Sequence, residues 1–297
     1  MLRGGPVNTG VRPTSEPSKK RMAKEQDIKT KLLAWLNTQG YPLEMQVAQE
    51  FQSSGFTVTQ SQYYADPETA KQREIDVVAR KEGEWSDYFL LNIQFAISCK
   101  NATKRPWVVF SNETKYSSGV LEGAFVSSTV GALFKKHLWG TTDYTSLRLL
   151  QSPVRRGYSV TEGFTTGVDI PFQAIMSATK YADSVAAATN LQKETLGDKP
   201  VAYASLVCPV VIIPGNLFEA YLDVEGSLQV CEVQRIPIRW GYPLSNSGKQ
   251  LADVLLCTVK DLPLLIQDAQ QALDLLTNST EAMEWAYSKF KSRQQPA

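Results

Sequence analysis

Glu44, Asp76 and Lys100 are the side chains whose types and order could support chemistry, and Ser98 stands two residues before the lysine. Carboxylates and an ammonium are groups that hold cations, move protons and stabilise anionic charge. Strand periodicity is two, so residues two apart share a face. In REIDVVA, Glu74 and Asp76 point one way, with Ile75, Val77 and Ala79 opposite. In IQFAISCK, Gln94, Ala96, Ser98 and Lys100 share one face, and Ile93, Phe95, Ile97 and Cys99 take the other. If these strands pair, a carboxylate and a lysine converge at one end of the sheet, with Glu44 above them. Burying an unpaired ammonium is costly, so a lysine that closes an apolar strand calls for a partner. The cluster is either a structural ion-pair network or a functional one.

The elements that must position these groups follow from periodicity. Ile28, Leu32, Leu33 and Leu36 recur at helical spacing over Lys24–Leu36, and Gly40 is a stop signal. Pro42 suits the first turn of a second helix ending at Gly55, with Leu43, Val47, Ala48 and Phe51 inward and Glu44 bordering that stripe. Phe56–Tyr64, Glu74–Ala79 and Tyr88–Lys100 read as strands, Gly83 marks a hairpin between the last two, and Pro106–Ser111 is a further short strand. Asn112 to about Gly157 yields no regular pattern. Asp169–Leu191 reads as a helix, and Tyr203–Ile213 as a strand covered on both faces. Leu217–Leu222 and Leu228–Val233 form a hairpin, Leu251–Val259 is a strand, and Leu262–Leu276 and Thr280–Phe290 are helices. The expected class is α/β, a mixed β-sheet flanked by helices with a C-terminal hairpin and helical elaboration. Residues 1–23, rich in Gly, Pro, Ser, Thr and Lys, read as a disordered lead to a single elaborated domain over 24–297.

The helix glutamate, then GFTV, REIDVVA and FAISCKNATKRPWVVF, resembles the PD-(D/E)xK or restriction-endonuclease-like superfamily, close to its Mrr-type members. The likeness covers about residues 40–112. That family's pattern is an acid on a helix, an Asp on a strand and (Asp/Glu)-x-Lys on the next strand. Glu44, Asp76 and Lys100 match it, whereas Ser98 stands where the second acid belongs. The resemblance implies a restriction-endonuclease-like fold and hydrolysis of nucleic-acid phosphodiesters, DNA above all, in the setting of bacterial restriction or phage defence. It implies Mg²⁺ (or Mn²⁺), with Asp76 the central ligand, the Cys99 backbone carbonyl a second, and Glu44 holding a metal-bound water or a second ion. Lys100 would orient or help deprotonate the attacking water and stabilise developing charge. A serine hydroxyl is a poor Mg²⁺ ligand. Either Glu74 or Glu44 supplies the missing acid, or the domain is a pseudo-nuclease that keeps only nucleic-acid or partner binding. Lys104 and Arg105, and also Arg155 and Arg156, could meet phosphates, and Trp107 either stacks on a base or packs the sheet. Self-association stays open.

Composition narrows the alternatives. Lys and Arg number 31 against 30 Asp and Glu, which excludes a whole-protein basic field of the kind an indiscriminate polyanion binder carries. Cys99, Cys208, Cys231 and Cys257 lack Cys-x-x-Cys spacing and read as buried thiols of a cytoplasmic protein. The only histidine, His137, has no Gly-x-Ser-x-Gly elbow to serve. Gly248-Lys249-Gln250 lacks phosphate-loop spacing, and no Gly-x-Gly-x-x-Gly follows a strand. No apolar run approaches the ~20 residues of a membrane helix.

Overall fold

The apolar runs pair into one mixed sheet, seen in a computed structural model that describes residues 19–86, 89–102, 104–114, 119–141, 147–165, 169–189, 195–196, 199–200, 202–241 and 251–294. The chain divides between Tyr41 and Pro42 into two units. The first contains helix α1 (Lys19–Leu36), on which Ile28, Leu32, Leu33 and Trp35 are exposed. The disordered lead expected over residues 1–23 lies mostly outside the described residues.

The larger unit runs in the order α2 (Tyr41–Ser53), β1 (Thr57–Ala65), β2 (Gln72–Ser86), β3 (Phe89–Cys99), β4 (Trp107–Glu113), β5 (Phe125–Val126), α3 (Thr129–Thr141), β6 (Arg155–Glu162) and α4 (Ile170–Thr189). There follow β7 (Thr195–Leu196), β8 (Lys199–Pro200), β9 (Ala202–Ile213), β10 (Leu217–Leu222), β11 (Leu228–Val233), β12 (Arg235–Gly241), β13 (Leu251–Thr258), α5 (Leu262–Thr277) and α6 (Thr280–Gln294). The main sheet has the order β1-β2-β3-β9-β13-β12-β6-β4-β10-β11, with β5 beside β9. β1, β2 and β3 form an antiparallel meander, β9 runs parallel to β3, and β13 runs parallel to β9. Between β12 and β6 the register is carried by Ile238↔Gly157 alone.

The sheet is covered on both faces, which is why its central strands are nearly uniform in apolar character. On one side Ile93, Phe95, Ile97, Leu206 and Val210 pack with Val47 and Phe51 of α2, Leu265 and Leu273 of α5 and Met283 of α6. On the other, Ala96, Val207, Val211 and Val254 pack with Ile175, Ala178 and Ala182 of α4. Each such fully buried large apolar side chain contributes about 1.5–3 kcal/mol of transfer free energy.

Three local expectations are corrected. Gly83 does not turn the chain: β2 continues to Ser86, and Gly83 pairs with Leu91. The glycine is there because α5 crosses it closely; a Cβ would meet the Leu273 side chain at 3.2 Å and collide with Thr277. Ile75 and Val77 do not share a face, since Ile75 joins the α4-side core and Val77 the opposite one. The pleat therefore switches at Asp76. The register pairs Gln60↔Val77 and Gln62↔Ile75 leave Ser61 opposite Asp76, and Ser61 has φ 53°, left-handed backbone that disturbs the ladder there. Finally, the unparsed region from Asn112 to Gly157 holds β5, α3 and the start of β6.

Candidate functional site

Asp76 is reached by one further step of the β2–β3 register, whose last pair is Val77↔Ile97, so Ser98 is its neighbour across the strands. The Ser98 hydroxyl donates to Asp76 Oδ2 at 3.2 Å, and the Cys99 N–H donates to the same oxygen at 2.6 Å. Two donors on one carboxylate oxygen make charge-assisted bonds that hold the group in place. Among the described residues no donor bonds Asp76 Oδ1. Ser98, fully buried, thus brings no charge to the site and instead holds the carboxylate of Asp76. Cys99, the last residue of β3, enters through its N–H. Burial and the nearby Asp76 and Glu44 carboxylates push the Cys99 thiol well up.

Lys100 continues the β3–β9 ladder by one bond, its N–H donating to Ile212 O at 3.0 Å. Glu44 projects from the first turn of α2, which is fixed to the sheet by Leu43, Val47, Ala48 and Phe51. Its carboxyl is raised above the usual range, first by burial, then by the negative charges of Asp76 and Glu74, with Lys100 opposing them. Glu44, Asp76, Glu74 and Lys100 therefore share one electrostatic neighbourhood, built from α2, β2 and β3. Glu74 is exposed and acts on Glu44 less than Asp76 does. Among the described residues Lys100 makes no ion pair within 4.0 Å, so the lysine and the acids interact across a distance and do not neutralise one another in contact.

No group of three or more His, Cys, Asp or Glu side chains among the described residues is gathered as a metal cage. Asp76 and Glu44 nonetheless supply hard oxygen donors in the number that Mg²⁺ uses when water and phosphate oxygens complete its shell. Burial is the first cause of the raised Glu44 carboxyl, and the second, the negative charge of Asp76 and Glu74, is what a divalent cation would relieve. A test follows in metal-free solution. Because the folded state binds the Glu44 proton more tightly than the unfolded chain does, ionising Glu44 costs stability as pH rises through the carboxylate range. Glu44→Gln should therefore melt above wild type near pH 7, with the gap closing as pH falls below about 4.3. Added Mg²⁺ should narrow the gap by stabilising wild type selectively. Thermal melts across pH check both.

The other expected contacts separate. Lys104 and Arg105 are exposed on the loop between β3 and β4, and Arg105 lies 3.8 Å from Glu162. Arg155 and Arg156 are not available to phosphate. Arg155 donates through Nε and Nη2 to Glu219, at 2.8 and 2.9 Å, and Arg156 is buried against Asp253. Trp107 is fully buried in the core, so it packs the sheet. His137 stacks on Trp285 of α6, away from the acids in sequence and element. The four cysteines form no disulfide. No described helix is long and apolar enough to cross a membrane. Ser61 opposite Asp76 was not singled out in sequence; its only signal is the polar run Gln60-Ser61-Gln62 inside a strand pattern. No family model, curated protein or solved structure matches the chain, so the functional reading rests on the geometry of Glu44, Asp76, Ser98 and Lys100.

Proposed function

We propose that the chain is a Mg²⁺-dependent (or Mn²⁺-dependent) phosphodiesterase acting on nucleic acid, DNA in particular, on a restriction-endonuclease-like core. The observation that carries this reading is the convergence of Glu44, Asp76 and Lys100 from a helix and two adjacent strands, with no ion pair in contact among the described residues. An ordinary structural cluster would place the ammonium against a carboxylate. Asp76 Oδ1 and Glu44 would hold the ion, which supplies charge to offset that developing on phosphate oxygens. Ser98 and the Cys99 N–H keep Asp76 oriented, and Lys100 faces the same neighbourhood with a charge suited to a phosphate oxygen or an attacking water. Without a cation Glu44 holds its proton more tightly than an ordinary carboxyl, first through burial, and a bound cation would favour its ionised form.

A second reading is favoured by one observation, the neutral Ser98 in place of an acid, with no group of three metal-ligating side chains gathered among the described residues. In that reading the domain binds nucleic acid or a partner and has lost hydrolysis. Purified protein incubated with supercoiled DNA, linear DNA and RNA in Mg²⁺ or Mn²⁺ separates the two. The first reading expects metal-dependent cleavage that Asp76→Ala and Lys100→Ala remove. The second expects binding without cleavage, with Ser98→Glu creating activity.

A further inference from the structure

We propose that Phe164 is a stacking platform for an unpaired base of a nucleic-acid strand whose phosphates are met by Lys104 and Arg105. This rests on the reading of the Asp76 neighbourhood as a nucleic-acid site and names the form of strand it takes. Phe164 follows β6 and is 91% exposed. Its φ is 59°, in the left-handed region where a bulky residue is an outlier. Neither burial nor backbone preference explains a phenyl ring at this place.

Its surroundings give it a use. The preceding Gly163 donates its N–H to Pro106 O at 2.8 Å, which ties the Phe164 turn to the loop carrying Lys104 and Arg105. Among the described residues Lys104 has no ion-pair partner. Arg105 has only the long contact to Glu162, so both cations can meet an anion. The same loop begins at Lys100. Its two ends are hydrogen-bonded to one stretch of chain, Lys100 N–H to Ile212 O at 3.0 Å and Trp107 N–H to Asn216 O at 2.9 Å. Four residues at full stretch span roughly 14 Å. That is about four nucleotides at the 3.4 Å step of a stacked strand, and fewer for an unstacked one. A strand with a phosphate at Lys100 therefore reaches the cations and the ring. Every base has a face that stacks on an aromatic ring, and cations track the phosphates, so recognition would tolerate any sequence. Within a duplex those faces are occupied by neighbouring bases. The fitting partner is thus a single strand, or an end or bulge whose bases are unstacked.

Binding is measured by fluorescence anisotropy in chelator, with a short labelled oligothymidine strand, its abasic counterpart and a blunt duplex. Phe164→Ala should weaken single-strand binding about tenfold, while Phe164→Trp retains it and duplex binding changes less than twofold. Wild type on the abasic strand should match Phe164→Ala on the normal one. The Lys104→Ala/Arg105→Ala double variant should weaken binding to single strand and duplex and make the salt dependence shallower by about 1.4 for two lost phosphate contacts on a single strand. Single-strand affinity unchanged in Phe164→Ala, or lost equally for single strand and duplex, overturns the stacking role. Binding in chelator without cleavage in Mg²⁺ defeats hydrolysis and leaves the stacking role standing. Wild type that binds none of the probes defeats both.

Discussion

Asp76→Ala should abolish metal-dependent nicking, a loss of about a thousandfold or more, because an ion that stabilises transition-state charge by several kcal/mol loses its central oxygen. The same change strips the acceptor from Ser98 Oγ and from the Cys99 N–H at a buried strand end. Leaving such donors unsatisfied costs about 1–3 kcal/mol, so alanine confounds activity with stability. Asp76→Asn resolves this. Its carboxamide oxygen can still accept from both donors, so unfolding free energy should stay within about 1 kcal/mol of wild type. It carries no charge for a cation, and cleavage should be lost as in alanine. Single-turnover cleavage and denaturant melts of wild type and both variants check the pair of claims. Metal-dependent nicking that persists in Asp76→Ala would come from a contaminant and sink the assignment. Lys100→Ala should also lose about a hundredfold or more in rate, but with little change in stability, since its side chain makes no ion pair in contact among the described residues.

Asp253→Ala should destabilise the protein by about 3–5 kcal/mol, a large share of the ~5–15 kcal/mol that holds a typical domain. Asp253 lies on β13, 4% exposed, and accepts from Arg156 Nη1 and from Arg239 Nε and Nη2, the last two at 2.9 and 3.0 Å. Arg156 is itself 3% exposed, and burial pushes its guanidinium down while Asp253 holds it up. Removing the carboxylate takes from that buried cation the anion it is bonded to. Burial raises the Asp253 carboxyl, but Arg239 and Arg156 outweigh it and the net direction is down. Its contribution is therefore full above the unfolded value of about 3.9 and is lost as pH falls through the lower folded value. The network is also shaped around Gly123, where any Cβ would run into the Asp253 carboxylate. Urea melts at pH 7 measure the loss. A change below about 1 kcal/mol would show that the pair is no more than a surface bridge. This cluster joins β6, β12 and β13 where only Ile238↔Gly157 carries the β12–β6 register, so its loss should loosen that seam first in hydrogen exchange.

Much of this architecture was legible because local chemistry and tertiary packing agree. Leu217–Leu222 and Leu228–Val233 are the strands expected from a Glu225-Gly226-Ser227 turn, and Gly226 has φ 81°. The continuous apolar run in β9 is buried from Ala204 to Ile213, as two covered faces require. β12 escaped the sequence reading because Pro237 interrupts a run of alternating Arg and Ile. A proline is tolerated there because β12 pairs fully on one side only. Gly83 misled for a related reason. A glycine signals a turn when considered alone, whereas here it admits α5 against a continuing strand.

The candidate site divides in the same way. By itself the sequence determined that Glu44 borders the inward face of a helix and that Asp76 and Lys100 lie on strands, near the start of one and at the close of the other, because periods of 3.6 and two are local properties of the chain; that the two strands pair was decided by the sheet. The fate of Ser98 could not be local. Only the β2–β3 register, together with the switch of pleat opposite Ser61, turns a missing acid into a hydroxyl that binds Asp76 Oδ2. Likewise Arg155-Arg156 reads as a phosphate contact in one dimension. It became structural only when Glu219, 64 residues from Arg155, and Asp253, 97 from Arg156, arrived beside it. Charge pairing over such separations is a consequence of sheet order, which no local pattern encodes.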